Sequence, residues 1–388
     1  MRRRIQLPLQ TVGLTAAFMV WVLISSLLSY IKMDIHLTSG QLAWVTAFPV
    51  ILGSLLRIPV GFLTNRYGAR SMFIIGYLLL IIPVLYLSFA HSFFDLMISG
   101  FLLGIGGATF SIGVTALPKY YPKEKQGTVN GFYGIGNLGT ALTTFSAPFL
   151  ANIYGWQMTV RFYLILLGVF IVLVFVLGDR NEEKIRVPFI GQIKNIYRNP
   201  EIWFFSFFYF ITFGSFVALT LYLPNFFVNQ FHLDKIDAGM RTAGFIVLAT
   251  LIRPFGGFLS DRFNPYVVLI GVFSGLTISG IILSFSLTMP LFTVGCLSVA
   301  AFGGIGNGAV FKLVPQHFPK QMGIANGIVS AAGGIGGFFP PLILTIVFGL
   351  TGHYAIGFMA LSEAALASLI LVIWLIFLDR LKQTGHLH

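Results

Sequence analysis

Arg57 and Arg253 are the residues of this chain best placed to do chemistry. Each lies inside an apolar run long enough to cross a membrane, in the segments RIPVGFLTNR (57–66) and RPFGGFLSDR (253–262), a constant 196 residues apart. A cation in hydrocarbon is costly, so it is rare without a task. A guanidinium group stays charged at any working pH, and its planar fork of N–H donors matches two oxygens at once. Two such groups facing one interior make a site for a small flat anion. Arg57 precedes Asn65 by eight residues and Arg253 precedes Asp261 by eight. At the helical rise this places both about 12 Å in from a helix end. The competing reading is that each arginine pairs with a buried carboxylate. Within the apolar runs only Glu363 is an acid well away from a run's end, and one acid cannot neutralise two separated arginines. Glu363 is expected to be a local hydrogen-bond partner, and Lys312 to snorkel its ammonium to the aqueous surface.

The elements that must position these residues are membrane helices. The chain has 388 residues, 56% hydrophobic and 9% charged, against about 25% charged in a soluble domain. A net charge of +12 in a soluble chain would suggest nucleic acid. Here the basic residues fall in short loops between apolar runs, which excludes a nucleic-acid partner in favour of a lipid bilayer. The single cysteine, Cys296, lies in an apolar run and is expected to pack. After Met1-Arg2-Arg3-Arg4, the run from about Leu7 to Tyr30 is too long for a cleaved leader and is expected to be retained.

Spans of about 20 mostly apolar residues recur twelve times, from 8–30 to 354–378, with the fifth at 127–152. The expected fold is an all-α polytopic membrane protein of twelve transmembrane helices in two six-helix, pseudo-symmetric halves. The halves are 1–178 and 201–388, joined by a cytoplasmic linker at 179–200 whose stretch Val187–Tyr197 is expected to lie on the membrane surface. Twelve spans put both termini on one side. Of the cationic residues outside the spans' centres, eighteen fall on that side, and only Lys32, Arg161, Lys235 and Arg241 on the other. That bias places both termini in the cytoplasm. The repeat extends further: PKYYPK (118–123) echoes PQHFPK (315–320), Asn130-Gly131 echoes Asn326-Gly327, and GIGGATF (104–110) echoes GIGNGAVF (304–311) with one insertion. Parallel repeats of this kind place substrate near midplane between the halves.

On these residues the chain resembles a known family. Gly61-x-x-x-Asn65-Arg66-x-Gly68-x-Arg70 is similar to the loop motif of the major facilitator superfamily, with asparagine at 65 in place of the usual aspartate; the second copy keeps Asp261 but lacks the following glycine. The runs NGFYGIGNLG (130–139) and NGIVSAAGGIGGFFPP (326–341) resemble the two signature helices of the nitrate/nitrite porter family. The resemblance covers almost the whole chain. It implies the major facilitator fold and a plasma-membrane carrier for nitrate and nitrite, in which Arg57 and Arg253 bind the anion. It also implies supporting roles for Phe110, Asn137, Tyr209 and Phe213.

Tyr209 offers a hydroxyl and Asn137 an amide as further donors. The chain has 41 phenylalanines, so Phe110 and Phe213 stand out only by the resemblance. Gly134, Gly136 and Gly139, and likewise Gly333, Gly334, Gly336 and Gly337, recur at roughly helical intervals and are expected to form packing or gating surfaces for two mobile halves. No acid lies beside the arginines, and His36, His91, His232, His317 and His353 fall near span ends. The shortage of buried titratable groups favours nitrate/nitrite exchange over proton-coupled symport, with the chain acting as a monomeric antiporter. A carrier of an organic acid or phosphate would also use paired arginines. A sensor or scaffold would carry an added soluble domain. The sequence shows no nucleophile–base pair, metal-ligand cluster or phosphate loop, so neither an enzyme nor a metal or cofactor is expected.

Overall fold

The polar residues that interrupt this apolar chain set where its helices begin. A computed structural model describes residues 5–184, 189–285, 288–319 and 321–383. The first helices are α1 (Gln6–Asp34), α2 (Ser39–Tyr67), α3 (Ala69–Leu87) and α4 (Phe93–Tyr120). Next comes α5, made of Gln126–Tyr133 and Leu138–Tyr154 joined by a 3-10 turn at Gly134–Asn137. Then follow α6 (Trp156–Leu177), α7 (Pro200–Phe231), α8 (Lys235–Arg262), α9 (Pro265–Ser284), α10 (Met289–His317) and α11 (Met322–Thr351). The last is α12 (Ala355–Gln383). Thr38 and Ser92 close capping boxes with Gln41 and Asp95 at the starts of α2 and α4. Asn199, Asp234 and Asn264 cap α7, α8 and α9. Each cap satisfies backbone N–H groups that lipid cannot.

Eleven of the described helices are long and apolar enough to span a bilayer. The twelfth crossing element is α5, which its Thr, Asn, Ser and Gly residues make less apolar than the others. The fold is all-α, in two six-helix, pseudo-symmetric halves. A linker helix, Phe189–Tyr197, lies between them. Arg2, Arg3, Arg4, Arg186, Val187 and Lys320 lie outside the described residues, as do the side chains of Arg380 and Lys382.

Glycine lets the helices meet. Between the halves, α5 lies along α8, where a Cβ on Gly131 would stand 2.8 Å from the Cα of Pro254 and one on Gly239 would stand 2.7 Å from the carbonyl of Thr144. The equivalent seam joins α2 to α11, where a Cβ on Gly327 would stand 2.8 Å from the Cα of Ile58. The glycine stripes singled out in the sequence divide between two tasks. Gly134 and Gly334 face the opposite half, against Arg253 and against Ser54 with Arg57. Gly136 and Gly139 pack on Leu14 and Thr15 of α1, and Gly333, Gly336 and Gly337 on Tyr209, Phe210 and Val217 of α7. Those five therefore tighten their own half, and the seams between halves rest on Gly61, Gly127, Gly131, Gly257, Gly323 and Gly327 instead.

Two sequence expectations fail. Lys312 does not snorkel to the surface. Its Nζ is buried and donates to Asp261 Oδ1 at 2.5 Å and to the Lys123 carbonyl at 2.9 Å. A buried ammonium is tolerated because it is paired with a carboxylate and hydrogen-bonded. Glu363 is no local hydrogen-bond partner either. It is exposed on the outer face of α12 and makes no side-chain hydrogen bond among the described residues. The α12 turn that carries it packs inward through Ser362 on Gly280 of α9 instead.

Candidate functional site

Several of the helices around the arginine pair are broken near it, including both that carry the arginines, whereas α7, with Tyr209 and Phe213, runs unbroken. Pro59 and Pro254 have no backbone N–H, so the carbonyls of Leu55 and Thr250 lose their helical partners. The helix is interrupted at Leu56, immediately before Arg57, and at Ile252, immediately before Arg253. In α4 the interruption is at Thr109, immediately before Phe110. There the Thr109 hydroxyl donates to Gly106 O at 2.6 Å. The Tyr133 hydroxyl completes the gap, donating to Thr109 O at 3.1 Å and accepting from Gly113 N at 3.2 Å. A side-chain oxygen thus replaces one rung of the backbone ladder. In α5 the break is the Gly134–Asn137 turn, and in α11 it lies at Gly337 and Phe338. Irregular backbone is tolerated at this depth because it is buried in protein, away from lipid.

Arg57 is fully buried and Arg253 is 2% exposed. Arg57 Nε donates to Gly107 O at 3.1 Å, and Nη1 to Ser330 O at 2.6 Å. Its Nη2 has no partner. Arg253 Nη2 donates to the Tyr209 hydroxyl at 3.2 Å, while Nε and Nη1 have none. Neither arginine takes part in a salt bridge among the described residues. Two cations therefore meet in the core with three nitrogens free to donate. No carboxylate neutralises either charge, so the pairing that would have made them structural is absent among the described residues.

Aromatic faces hold the cations in place of carboxylates. Phe110 and Phe213 stack with centroids 6.0 Å apart at 21°. The Arg57 guanidinium carbon lies 5.4 and 5.1 Å from the two centroids, and that of Arg253 lies 5.4 and 5.6 Å away. Each ring thus serves both arginines, at distances where cation–π attraction operates. These distances together cap the separation of the guanidinium carbons at about 9 Å, where like charges repel by about 2 kcal/mol at an effective dielectric near 20. Tyr209 stacks on Phe213 at 4.9 Å and 4°, and Phe311 meets Tyr209 edge-on at 4.8 Å.

Of the sequence candidates, Arg57, Arg253, Phe110, Phe213 and Tyr209 come together in one cluster. Asn137 stands in the 3-10 turn, fully buried, donating to Gly134 O at 2.7 Å with its Oδ1 unpartnered. It touches the cluster through Gly134, where a Cβ would stand 2.6 Å from Arg253 Nε and 3.0 Å from Cζ. Sequence reasoning missed Gly107 and Ser330, whose contribution is a carbonyl that any residue carries. It also missed Tyr133, which stands in the first signature run, and Ser111, whose hydroxyl meets that of Ser330 across the halves at 3.0 Å.

Nearer the end of the bundle that carries the termini, the halves are tied asymmetrically. Asp261 accepts from the backbone N–H of Gly127 (3.2 Å) and Thr128 (2.7 Å) and from the Thr128 hydroxyl (2.6 Å), besides Lys312. At the equivalent position in α2, Asn65 brings no charge. It lies against Gly323, and its Oδ1 is unpartnered. The three bonds from Gly127 and Thr128 cross between the halves, and a hydrogen bond to a charged acceptor contributes about 1.5–3 kcal/mol. Asp261→Asn is therefore expected to open this end. Electron–electron distance measurements between spin labels at Glu124 and Asn264 should show a new, longer population. A distribution identical to wild type would mean the tie does not hold the halves shut.

A model of the Major Facilitator Superfamily matches residues 11–341 and, in a second overlapping match, 221–386. The chain is 64% identical to the "Nitrite extrusion protein" of Bacillus subtilis (strain 168), over 98% of this chain and 96% of that one. It is 50% identical to the "Probable nitrate transporter NarT" of Staphylococcus epidermidis, over 95% of this chain and 96% of the relative. In structure it is similar to the human organic anion transporter MFSD10 (TETRAN), with a TM-score of 0.73 at 14% identity, covering 95% of this chain and 99% of that one. The twelve-span architecture in two repeats, the family match and the similarity to relatives along nearly their whole length agree: the chain belongs to the Major Facilitator Superfamily, a family of membrane transporters rather than enzymes.

Proposed function

We propose that this protein carries nitrate and nitrite across the plasma membrane as a monomer. It works by exchange through alternating access of its two halves, 1–178 and 201–388, with both termini and the 179–200 linker in the cytoplasm. The observation that carries the reading is a pair of buried guanidinium groups, one from each half, with no carboxylate partner and three unused donor nitrogens. The names of the relatives supply the anion: one is a nitrite extrusion protein and another a probable nitrate transporter. The charge bias of the loops supplies the orientation.

A planar oxyanion between Arg57 and Arg253 accepts from the free nitrogens and cancels their mutual repulsion. The loaded pair draws the halves together, and the empty pair pushes them apart. Passage between the two open states is then easy only with an anion aboard, which produces one-for-one exchange. Phe110 and Phe213 keep water out and hold the guanidinium planes. Asn137 and Gly134 shape the turn over which Arg253 passes. The Tyr209 hydroxyl, already accepting from Arg253, keeps its own proton to donate.

Proteoliposomes separate exchange from proton symport. Vesicles preloaded with nitrite should take up labelled nitrate at a rate set by internal nitrite and insensitive to an imposed pH gradient. Uptake that ignores internal nitrite and follows the pH gradient would establish symport instead.

A further inference from the structure

The second half holds a polar group that the exchange scheme leaves unused. Asn307 stands on α10, 1% exposed, and its side chain makes no hydrogen bond among the described residues; Oδ1 is wholly buried. A buried amide without a partner costs about 1–3 kcal/mol, so its presence calls for an occupant that completes it. Asn65 and Asn225 likewise have an unpartnered buried Oδ1, but neither stands beside the arginine pair, and the other such amide among the described residues is Gln10. It lies one turn into α1, at the end of the bundle that carries the termini.

The neighbours of Asn307 place it at the arginine pair. A Cβ on Gly306 would stand 2.6 Å from Thr212 Cγ2 of α7, and one on Gly308 would stand 2.5 Å from the backbone nitrogen of Gly257 on α8. Residue 307 therefore points into the wedge between α7 and α8, where Tyr209 and Arg253 are bonded. Gly303, one turn before it, abuts Thr212 O, and Phe311, one turn after it, touches Tyr209 and Phe110. Its level is that of the Tyr209–Phe213 stack. Helical side chains lean towards their N-terminus, and α10 starts at the end opposite the termini. The amide thus borders the cluster on that side.

The repeat explains why it is needed on one side only. In α4 the matching run supplies Gly107 O to Arg57 Nε. In α10 the run has one extra residue, and Asn307 stands at the insertion, while Arg253 Nε has no acceptor. A half-turn of the amide exchanges its N–H2 and oxygen without changing its volume, so either end can face the cluster.

We propose that Asn307 contacts the transported anion, donating to the third oxygen of a trigonal oxyanion, and so sets the preference for nitrate over nitrite. This rests on the nitrate/nitrite reading above. Two oxygens engage the guanidinium groups in either anion, and only nitrate has a third.

The test is counterflow in proteoliposomes, with half-saturating concentrations measured for nitrate and for nitrite. Asn307→Ala should raise the nitrate value about tenfold and leave the nitrite value within about threefold. Asn307→Thr, which keeps a donor at nearly the same volume, should fall between and covers the case in which the alanine variant does not fold. A nitrate-to-nitrite ratio equal to wild type in the folded variants, whether both values move together or neither moves, overturns the proposal. Failure of the underlying reading looks different, because wild-type protein would then show no nitrate counterflow at all.

Discussion

Arg57→Lys and Arg253→Lys are each expected to lower nitrate uptake into proteoliposomes by at least about 100-fold, although both keep the charge. The loss follows from what the guanidinium does at each position. Arg57 spends Nε and Nη1 on the carbonyls of Gly107 and Ser330 and leaves Nη2 free for the proposed anion. An ammonium on a shorter stem cannot hold two carbonyls in different halves and still donate to a substrate. At Arg253 the fork spans Tyr209 with one nitrogen while two remain free. A charge-assisted hydrogen bond contributes about 1.5–3 kcal/mol; the loss of two is worth 100-fold or more in binding. Near-normal uptake by either lysine variant would mean that charge alone serves the site and that the bidentate geometry is wrong.

Gly134→Val should be nearly as damaging, with no change in any charge or donor. The Cβ alone would come within 2.6 Å of Arg253 Nε, and two further methyl groups would occupy the guanidinium plane. Arg253 must then leave the ring faces of Phe110 and Phe213. A displacement of about 1 Å in a positioned group costs about 100-fold, and that is the expected fall in uptake. The control is Gly168→Val on α6, where nothing lies within 4 Å of the added Cβ; its uptake should stay within about twofold of wild type. Equal membrane levels of the two variants, read by fluorescence-detected size exclusion, keep folding apart from function. Wild-type uptake with Gly134→Val would show that Arg253 does not have to lie over that turn.

Much of the site is legible in the sequence because the features are extreme. An arginine in the middle of an apolar run is rare, and a second one 196 residues later, in the same local pattern, points to two halves meeting at one place. The loop charges and the length of the runs likewise carry the helix count. What the sequence does not carry is the break in α5. The run 127–152 holds no charged residue and reads as one helix. The turn at Gly134–Asn137 is decided by contacts with α1 and with Arg253, both distant in the chain. Lys312 is a similar case. Its place near a span end suggests snorkelling, and only the folded chain brings Asp261 and the Lys123 carbonyl to it. The glycine stripes show periodicity but not direction. Gly134 and Gly136 are two residues apart, yet one faces Arg253 of the other half and the other faces Leu14 of its own.

The tie at Asp261 gives the two seams unequal strength. Its charge and three hydrogen bonds from Gly127 and Thr128 hold α8 to the start of α5, whereas Asn65 adds no charge at the same level of the α2–α11 seam, which is bridged deeper in by Arg57 Nη1 to Ser330 O. The replacement of aspartate by asparagine at 65, visible in the loop motif, acquires a consequence here. The α2–α11 seam is the one expected to part more readily when the bundle opens towards the termini.

The proposed exchange requires a flat oxyanion to rest between Arg57 and Arg253. The most direct measurement is a density map of the protein in saturating nitrate, at a resolution where a three-lobed anion is recognisable. The account expects one such feature bounded by the rings of Phe110 and Phe213, with oxygens about 2.7–2.9 Å from Arg57 Nη2 and from Arg253 Nε or Nη1. Nitrate bound elsewhere, with both guanidinium groups unchanged in their protein contacts and nothing between them, would contradict it.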